Sequence, residues 1–372
     1  MEPDKNQVED NSFINDIRYS GDFRGYSFSR YKKTDVQKTM VQNMLKGKVE
    51  PACYWCAELI CAGHFIDAWE TILHYMGKYV HLGNPKLIIY LDMRYDMFRT
   101  LMSQSHYINE HDARNNIKIR KLFAEIVCTL TLSNKKHSFE HHKINREEEF
   151  DITQMTERLK APSVTFVEPI FQKGDPKELL IAINEFAYHI SGESNNMTQA
   201  CYWIEWIIEF DLICKKRKEP CYCSRRKTMK VETKLQKDII WLVWDGLIHY
   251  GKMRGPYVEK LLASLLNLFC IKYTTATCKK RRYLLYYAVA LLTEPIPTNI
   301  ELINNKEVLQ TVVEQINQVY KQIKKNEESP NTDYLFSNLD KAQAFEKSVR
   351  KMEMMDSMGF VPRNIENPDE TV

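Results

Sequence analysis

Two runs of basic residues are the most concentrated source of chemistry in this chain. Lys215, Lys216, Arg217, Lys218, Arg225, Arg226 and Lys227 place seven positive charges within thirteen residues. Lys279, Lys280, Arg281 and Arg282 add four more at the start of a later helix. Cations at that density attract a phosphate polyanion with an affinity that falls steeply as salt rises. The formal net charge of the whole chain is only +3, so the charge is local and not spread over the surface. These eleven residues are the expected nucleic-acid contacts. The plainer alternative is a solvated loop that meets an acidic partner or carries a receptor-read signal.

Other reactive residues carry weaker patterns. Cys214, Cys221, Cys223 and Cys278 could together hold zinc, but a structural site favours paired C-x-x-C spacings, and the one tight pair here, Cys221 and Cys223, strains tetrahedral chelation. Thiols in a basic loop are the expectation. Glu140, His141 and His142 lie in a polar stretch and read as solvated. Glu205 and Glu209 flank Trp206 and could be paired carboxylates, or simply the wet edge of a helix. Trp203, Trp206, Trp241 and Trp244 recur at helical spacing and read as core. His74 and His249 read as structural, hydrogen-bonded histidines. No phosphate-cradling G-x-x-x-x-G-K-[ST], no G-x-S-x-G, no H-E-x-x-H and no kinase-type set is present. The expectation is therefore no catalytic residue, no metal and no cofactor.

The elements that position these residues read as helices throughout. The 372 residues include only 12 Gly and 13 Pro, too few breakers for a turn-rich β fold. Hydrophobic residues at 44% and charged residues at 27% suit a chain with a substantial core. The first residues, MEPDKNQVEDNSF, contain no apolar signal region, and no stretch reaches the roughly 18 apolar residues of a membrane span. The expectation is a soluble, non-secreted protein in a reducing compartment, with its ten Cys as free thiols, several of them (Cys53, Cys56, Cys61, Cys128, Cys270) on apolar helix faces. Apolar periodicity and breakers divide the chain into a disordered arm (1–26), a helical domain (27–138), a charged linker with one short helix (139–175), and a second helical domain (176–297) with a basic, Cys-containing insert (211–237). A further helix (298–328) and a loosely held tail (329–372), helical around 338–357, complete it.

The two domains look related. Ala52-Cys53-Tyr54-Trp55 recurs as Ala200-Cys201-Tyr202-Trp203, each opening an apolar helix. Leu73-His74-Tyr75-Met76-Gly77-Lys78 is echoed by Ile248-His249-Tyr250-Gly251-Lys252, and the helix after Pro85 by the helix after Pro256. Ile119-Arg120-Lys121-Leu122-Phe123 is echoed by Arg281-Arg282-Tyr283-Leu284-Leu285. Order is kept and spacing is not, because the basic segment intervenes in the second copy. The pattern predicts an all-α protein of two helical bundles related as a tandem repeat.

Residues 50–138 resemble the C-terminal helical domain of the replication-associated recombination ATPases, the bacterial RarA/MgsA group and the eukaryotic Werner-helicase-interacting ATPase. The resemblance is carried by Tyr54-Trp55, Ala62-Gly63, Leu82-Gly83-Asn84-Pro85 and the stretch from Leu130 to Lys136. It implies a clamp-loader-collar-like module that holds subunits together, here without the motor. Over its whole length the chain is similar to an all-helical family of large nucleocytoplasmic DNA viruses, through CYWCAELICAGHF, HLGNPKL, KIRKLFAEI, NKKHSFE and DPKELLIAINEFAYHIS. That likeness implies a host cytoplasm or viral factory, or packaging in the virion, and supplies no chemistry. The combined expectation is a non-enzymatic scaffold in viral DNA replication or repair, partnered by other proteins, copies of itself or DNA. Two alternatives stand beside it: a protein-interaction solenoid in virion assembly or translation control, and an enzyme with scattered residues.

Overall fold

A computed structural model describes residues 12–104, 110–146, 148–150, 156–328 and 345–354. The expected disorder of residues 1–11 and the loosely held tail at 329–344 and 355–372 lie outside the described residues. Among the described residues the fold is all-α, with no strand. Isolated bridges join Tyr26 to Lys32 and Tyr222 to Asp238.

Helix α1 (Lys33–Leu45) buries Val36, Met40 and Met44 at four-residue spacing, one face of a 3.6-residue period. Gly47 follows it with φ of 70°, a conformation that costs a residue with a Cβ. Pro51 sits in the first turn of α2 (Val49–Cys61), where no backbone N–H is missed. α3 (Phe65–Tyr75) continues into a π turn (Met76–Val80) and a 3-10 turn (His81–Gly83). α4 (Lys86–Gln104) and α5 (Ile117–Leu132) complete the first half, the latter capped by the Asn116 side chain. A Cβ at Gly83 would stand 2.4 Å from the Asn134 carbonyl oxygen, so the entry to α4 and the exit from α5 touch through glycine.

The second half contains α6 (Leu180–Ile190), α7 (Met197–Lys216), α8 (Ile240–Met253) and α9 (Pro256–Phe269). It ends with α10 (Thr275–Lys280) and α11 (Arg282–Thr293). The helix expected to run unbroken from Lys279 is split at Arg281, whose guanidinium turns inward to the Phe269 carbonyl and Glu70. The helix pairings of the first half recur here. α1 lies on α2 as α6 lies on α7, α2 on α5 as α7 on α11, and α4 on α5 as α9 on α11. The counterparts α4 and α9 pack against each other, and Asn267 Nδ2 donates to Asp92 Oδ2 at 3.0 Å. Trp69, Trp203, Trp241 and Trp244 are fully buried.

Three expectations need correction. The halves are not separate bodies, because Arg18–Glu327 belongs to one compact unit. The arm is not disordered throughout: Ile14 and Phe23 are buried, and the Arg18 guanidinium lies 4.8 Å over the rings of Phe23 and Phe28. The charged stretch expected as a linker is packed where it is described, at 139–146 and 156–175. Phe139 stacks on His81 with centroids 4.0 Å apart, and Val167, Ile170 and Asp175 are buried. Single anchors spaced irregularly hold both segments, and they leave no periodic signal.

The next helix, α12 (Lys306–Lys324), returns to the first half. It buries Ile316, Val319, Tyr320 and Ile323 and packs on α2 and α5, with the Arg120 guanidinium 4.0 Å over the Tyr320 ring. Asn15–Ile17, Glu328 and the described residues 345–354 belong to a second, small unit, in which Ile17 N donates to Glu328 O at 3.2 Å and 345–354 is helical. No helix among the described residues is long and apolar enough to cross a membrane. All ten cysteines are free, eight of them buried.

Candidate functional site

An open cleft of about 740 Å³ lies where the two halves meet beside α1. α1 supplies Gln37, Lys38 and Gln42, and α3 supplies Glu70, Thr71 and His74. Tyr79 comes from the π turn, Lys279 and Lys280 from the last turn of α10, and Arg282 and Tyr283 from the start of α11. Local sequence explains the placement. The apolar stripe of α1 faces inward and leaves Lys38 on the opposite side. Thr274 and Thr277 close a capping box that starts α10 and so fixes where its lysines emerge.

The charges of the cleft are mostly positive. Lys38 and Lys280 make no ion pair among the described residues, and Lys279 Nζ lies 3.4 Å from Glu209 Oε1. Glu209 is already gripped by Arg146, whose Nε and Nη2 donate at 2.9 and 2.6 Å. Glu70, the one carboxylate in the lining, is occupied by Arg281.

Behind the cleft lies a buried carboxylate. Glu205 on α7 is 1% exposed, and donors from two neighbouring helical turns of α11 converge on it. Tyr286 Oη donates to Oε1 at 2.8 Å, and Arg282 Nη1 lies 3.1 Å from Oε2. His141 Nε2, from the stretch after α5, is 3.4 Å from the same oxygen. Burial pushes the Glu205 carboxyl up to about 7, against the pull of the Tyr286 hydroxyl. Arg282 therefore reaches the cleft with its charge partly compensated from behind.

Three aromatic rings share the lining with the lysines. His74 meets Tyr283 and Tyr79 edge-on, with centroids 5.4 and 6.1 Å apart. Burial first, and then Lys78, lower the His74 imidazole to about 4, so it is neutral near pH 7. Lys78 Nζ lies 4.9 Å over Tyr283 and 5.4 Å over Tyr79.

The structure divides the eleven basic residues. Arg226 is not a surface contact: its guanidinium is buried and bonds Asp175 at 2.6 and 2.7 Å and Asp245 at 2.7 Å. Arg281 is likewise buried against Glu70 and the Phe269 carbonyl. A buried carboxylate outcompetes solvent phosphate for a guanidinium already locked in place. Arg282 is held by Glu205, Lys215 by Asp211, and Arg225 donates to Gln236 at 2.7 Å. Lys216, Arg217, Lys218 and Lys227 are exposed and make no ion pair among the described residues. The two runs approach each other, since the Lys215 charge acts on Cys278, the neighbour of Lys279.

The repeat markers have structural roles. Tyr202 and Trp203 are buried, the Tyr202 hydroxyl bonding Glu149, whereas Tyr54 and Trp55 are half-buried at the equivalent start of α2. Pro85 and Pro256 precede α4 and open α9. His249 lies edge-on to Tyr250 and outside the cleft. Cys223 gives its thiol to the Asp238 carbonyl at 3.3 Å. Among the described residues no group of three or more His, Cys, Asp or Glu is placed to hold a metal ion.

Sequence pattern alone does not bring Glu205, His141, Arg282 and Tyr286 together. The one legible sign is a carboxylate between Trp203 and Trp206 facing an Arg and Tyr four residues apart. No family model, no curated protein and no solved structure matches the chain.

Proposed function

We propose that this chain is a non-enzymatic helical scaffold that holds nucleic acid through the phosphate backbone, with the basic cleft as its contact. The carrying observation is that Lys38 of α1 and Lys280 of α10 line one open cleft without an ion pair among the described residues. Unpaired cations that share a concave surface concentrate a polyanion there. Exposed Lys216, Arg217 and Lys218 at the end of α7 extend the same field. A role in DNA replication or repair in a reducing, cytoplasmic setting is part of this reading; the free thiols suit it.

The test is binding of DNA across a salt series by the full chain and by the Lys38→Ala, Lys279→Ala, Lys280→Ala triple variant. Removing one phosphate-binding lysine should flatten the slope of log affinity against log salt by roughly 0.7 to 0.9. No binding at low salt, or a slope unchanged by the substitutions, refutes the proposal. A protein-docking reading has one observation in its favour: the 345–354 helix exposes Phe345, Val349 and Met352 at i, i+4 and i+7. It predicts a full chain that captures protein partners and ignores DNA.

A further inference from the structure

We infer that the cleft accepts an unpaired nucleotide, base against the aromatic rings and phosphates on the lysine rim, so that the chain prefers a single strand to a duplex. The inference rests on the nucleic-acid reading above and adds the form of the ligand.

The lining is chemically divided. Tyr79, Tyr283 and His74 supply the rings, and Lys38, Lys279 and Lys280 supply the charge. A cleft that took only phosphates would have no use for three rings, one of them a histidine kept uncharged at neutral pH. Phosphate contacts position a nucleic acid but do not tell one form from another. Rings do, because a base can stack on a side chain only when its own face is free, which excludes a base inside a duplex. Gln37 and Gln42 add polar groups that suit a base edge. Gln37 Nε2 is committed to Asp67 O and Thr71 Oγ1, both at 3.2 Å, and its Oε1 has no donor among the described residues. The volume of about 740 Å³ lies in the range of small-molecule sites, roughly 300–1,000 Å³. Glu205 behind Arg282 keeps that guanidinium fixed, while the lysines of the rim are free to follow a flexible strand.

The experiment uses the full chain, a labelled oligothymidine strand and a blunt duplex of the same length, read by fluorescence anisotropy at low salt. The strand should bind at least about tenfold more tightly than the duplex, the equivalent of a single stacked base. Tyr283→Leu and Tyr79→Leu should lose about that factor for the strand with the salt slope unchanged. Tyr283→Phe and Tyr79→Phe, which keep the ring, should bind as wild type does. On wild-type protein alone, thymidine monophosphate should displace the strand at a lower concentration than inorganic phosphate. That arm holds even where a leucine variant fails to fold. Equal affinity for strand and duplex, with the lysine variants still impaired, overturns this inference and leaves the phosphate-binding reading standing. Absence of all binding at low salt overturns both.

Discussion

Replacing Glu205 by Gln should raise stability relative to wild type progressively as pH climbs through neutrality, and that pH dependence identifies its cause. The carboxyl titrates near 4.5 in an unfolded chain and is lifted by burial to about 7 in the folded one. Between those values the folded state binds more protons than the unfolded state, so stability falls as pH rises. The loss begins above about pH 4.5 and is complete above pH 7. The displacement from 4.5 to about 7 amounts to about 3.5 kcal/mol in all, of which about 3 kcal/mol falls between about pH 4.5 and about pH 8. Gln does not titrate, and its carbonyl still accepts from Tyr286; the counter-charge it takes from Arg282 is a loss independent of pH, which leaves the swing with pH unchanged. The assay is urea unfolding of both proteins from about pH 4.5 to about pH 8. The difference between them cancels every other titrating group and should swing toward the variant by about 3 kcal/mol across that range. A flat difference, or one that swings toward wild type as pH rises, would mean that Arg282 at 3.1 Å outweighs burial and keeps Glu205 ionised.

Arg226→Met should destabilise the fold by about 3–5 kcal/mol in denaturant unfolding, since it strands Asp175 and Asp245 without their buried partner. Burial pushes the Asp175 carboxyl up, but the guanidinium and the N–H groups of Gln172 and Ser224 hold it below its ordinary value. Its contribution should therefore vanish as pH falls through the acidic range, and the variant should differ least from wild type there. Gly83→Ala should cost about 1–3 kcal/mol, read as a lowered urea midpoint, because the new methyl meets the Asn134 carbonyl. A thiol reagent should modify at most Cys214 and Cys221 in the native protein and all ten cysteines after denaturation. Rapid native labelling of Cys53 or Cys201 would contradict their burial.

Helices are legible in the sequence wherever a full apolar stripe meets a breaker. Val36, Met40 and Met44 define α1, and Pro51, Pro85 and Pro256 mark three helix starts. The repeat of Tyr54-Trp55 in Tyr202-Trp203 points to the shared pairing of α2 and α7 with their neighbours. It does not reveal that the halves share one core, because the α4–α9 contact leaves no mark distinct from that of any buried helix face. The arm around Arg18 and the stretch around Phe139 hold on through isolated anchors, which a period-based reading misses by construction. At the site, charge counting finds Lys279 and Lys280 but does not separate them from Arg226 and Arg281. Which cation faces a carboxylate is decided by contacts between residues far apart in the chain, such as Arg281 with Glu70. Glu205 reads from sequence as a wet-edge acid. Its burial depends on α11, which lies far away in sequence.

The position of α12 bears on how the protein is made. Chains emerge from the ribosome N-terminus first, and compact regions tend to form in that order. Here the seam on α2 and α5 that receives Ile316, Tyr320 and Ile323 is translated early, and its cover is translated after the whole second half. Until then the nascent chain carries an open apolar groove that invites a chaperone or a wrong partner. A premature stop before Lys306 would therefore injure the half already synthesised and leave the more recent one nearly complete.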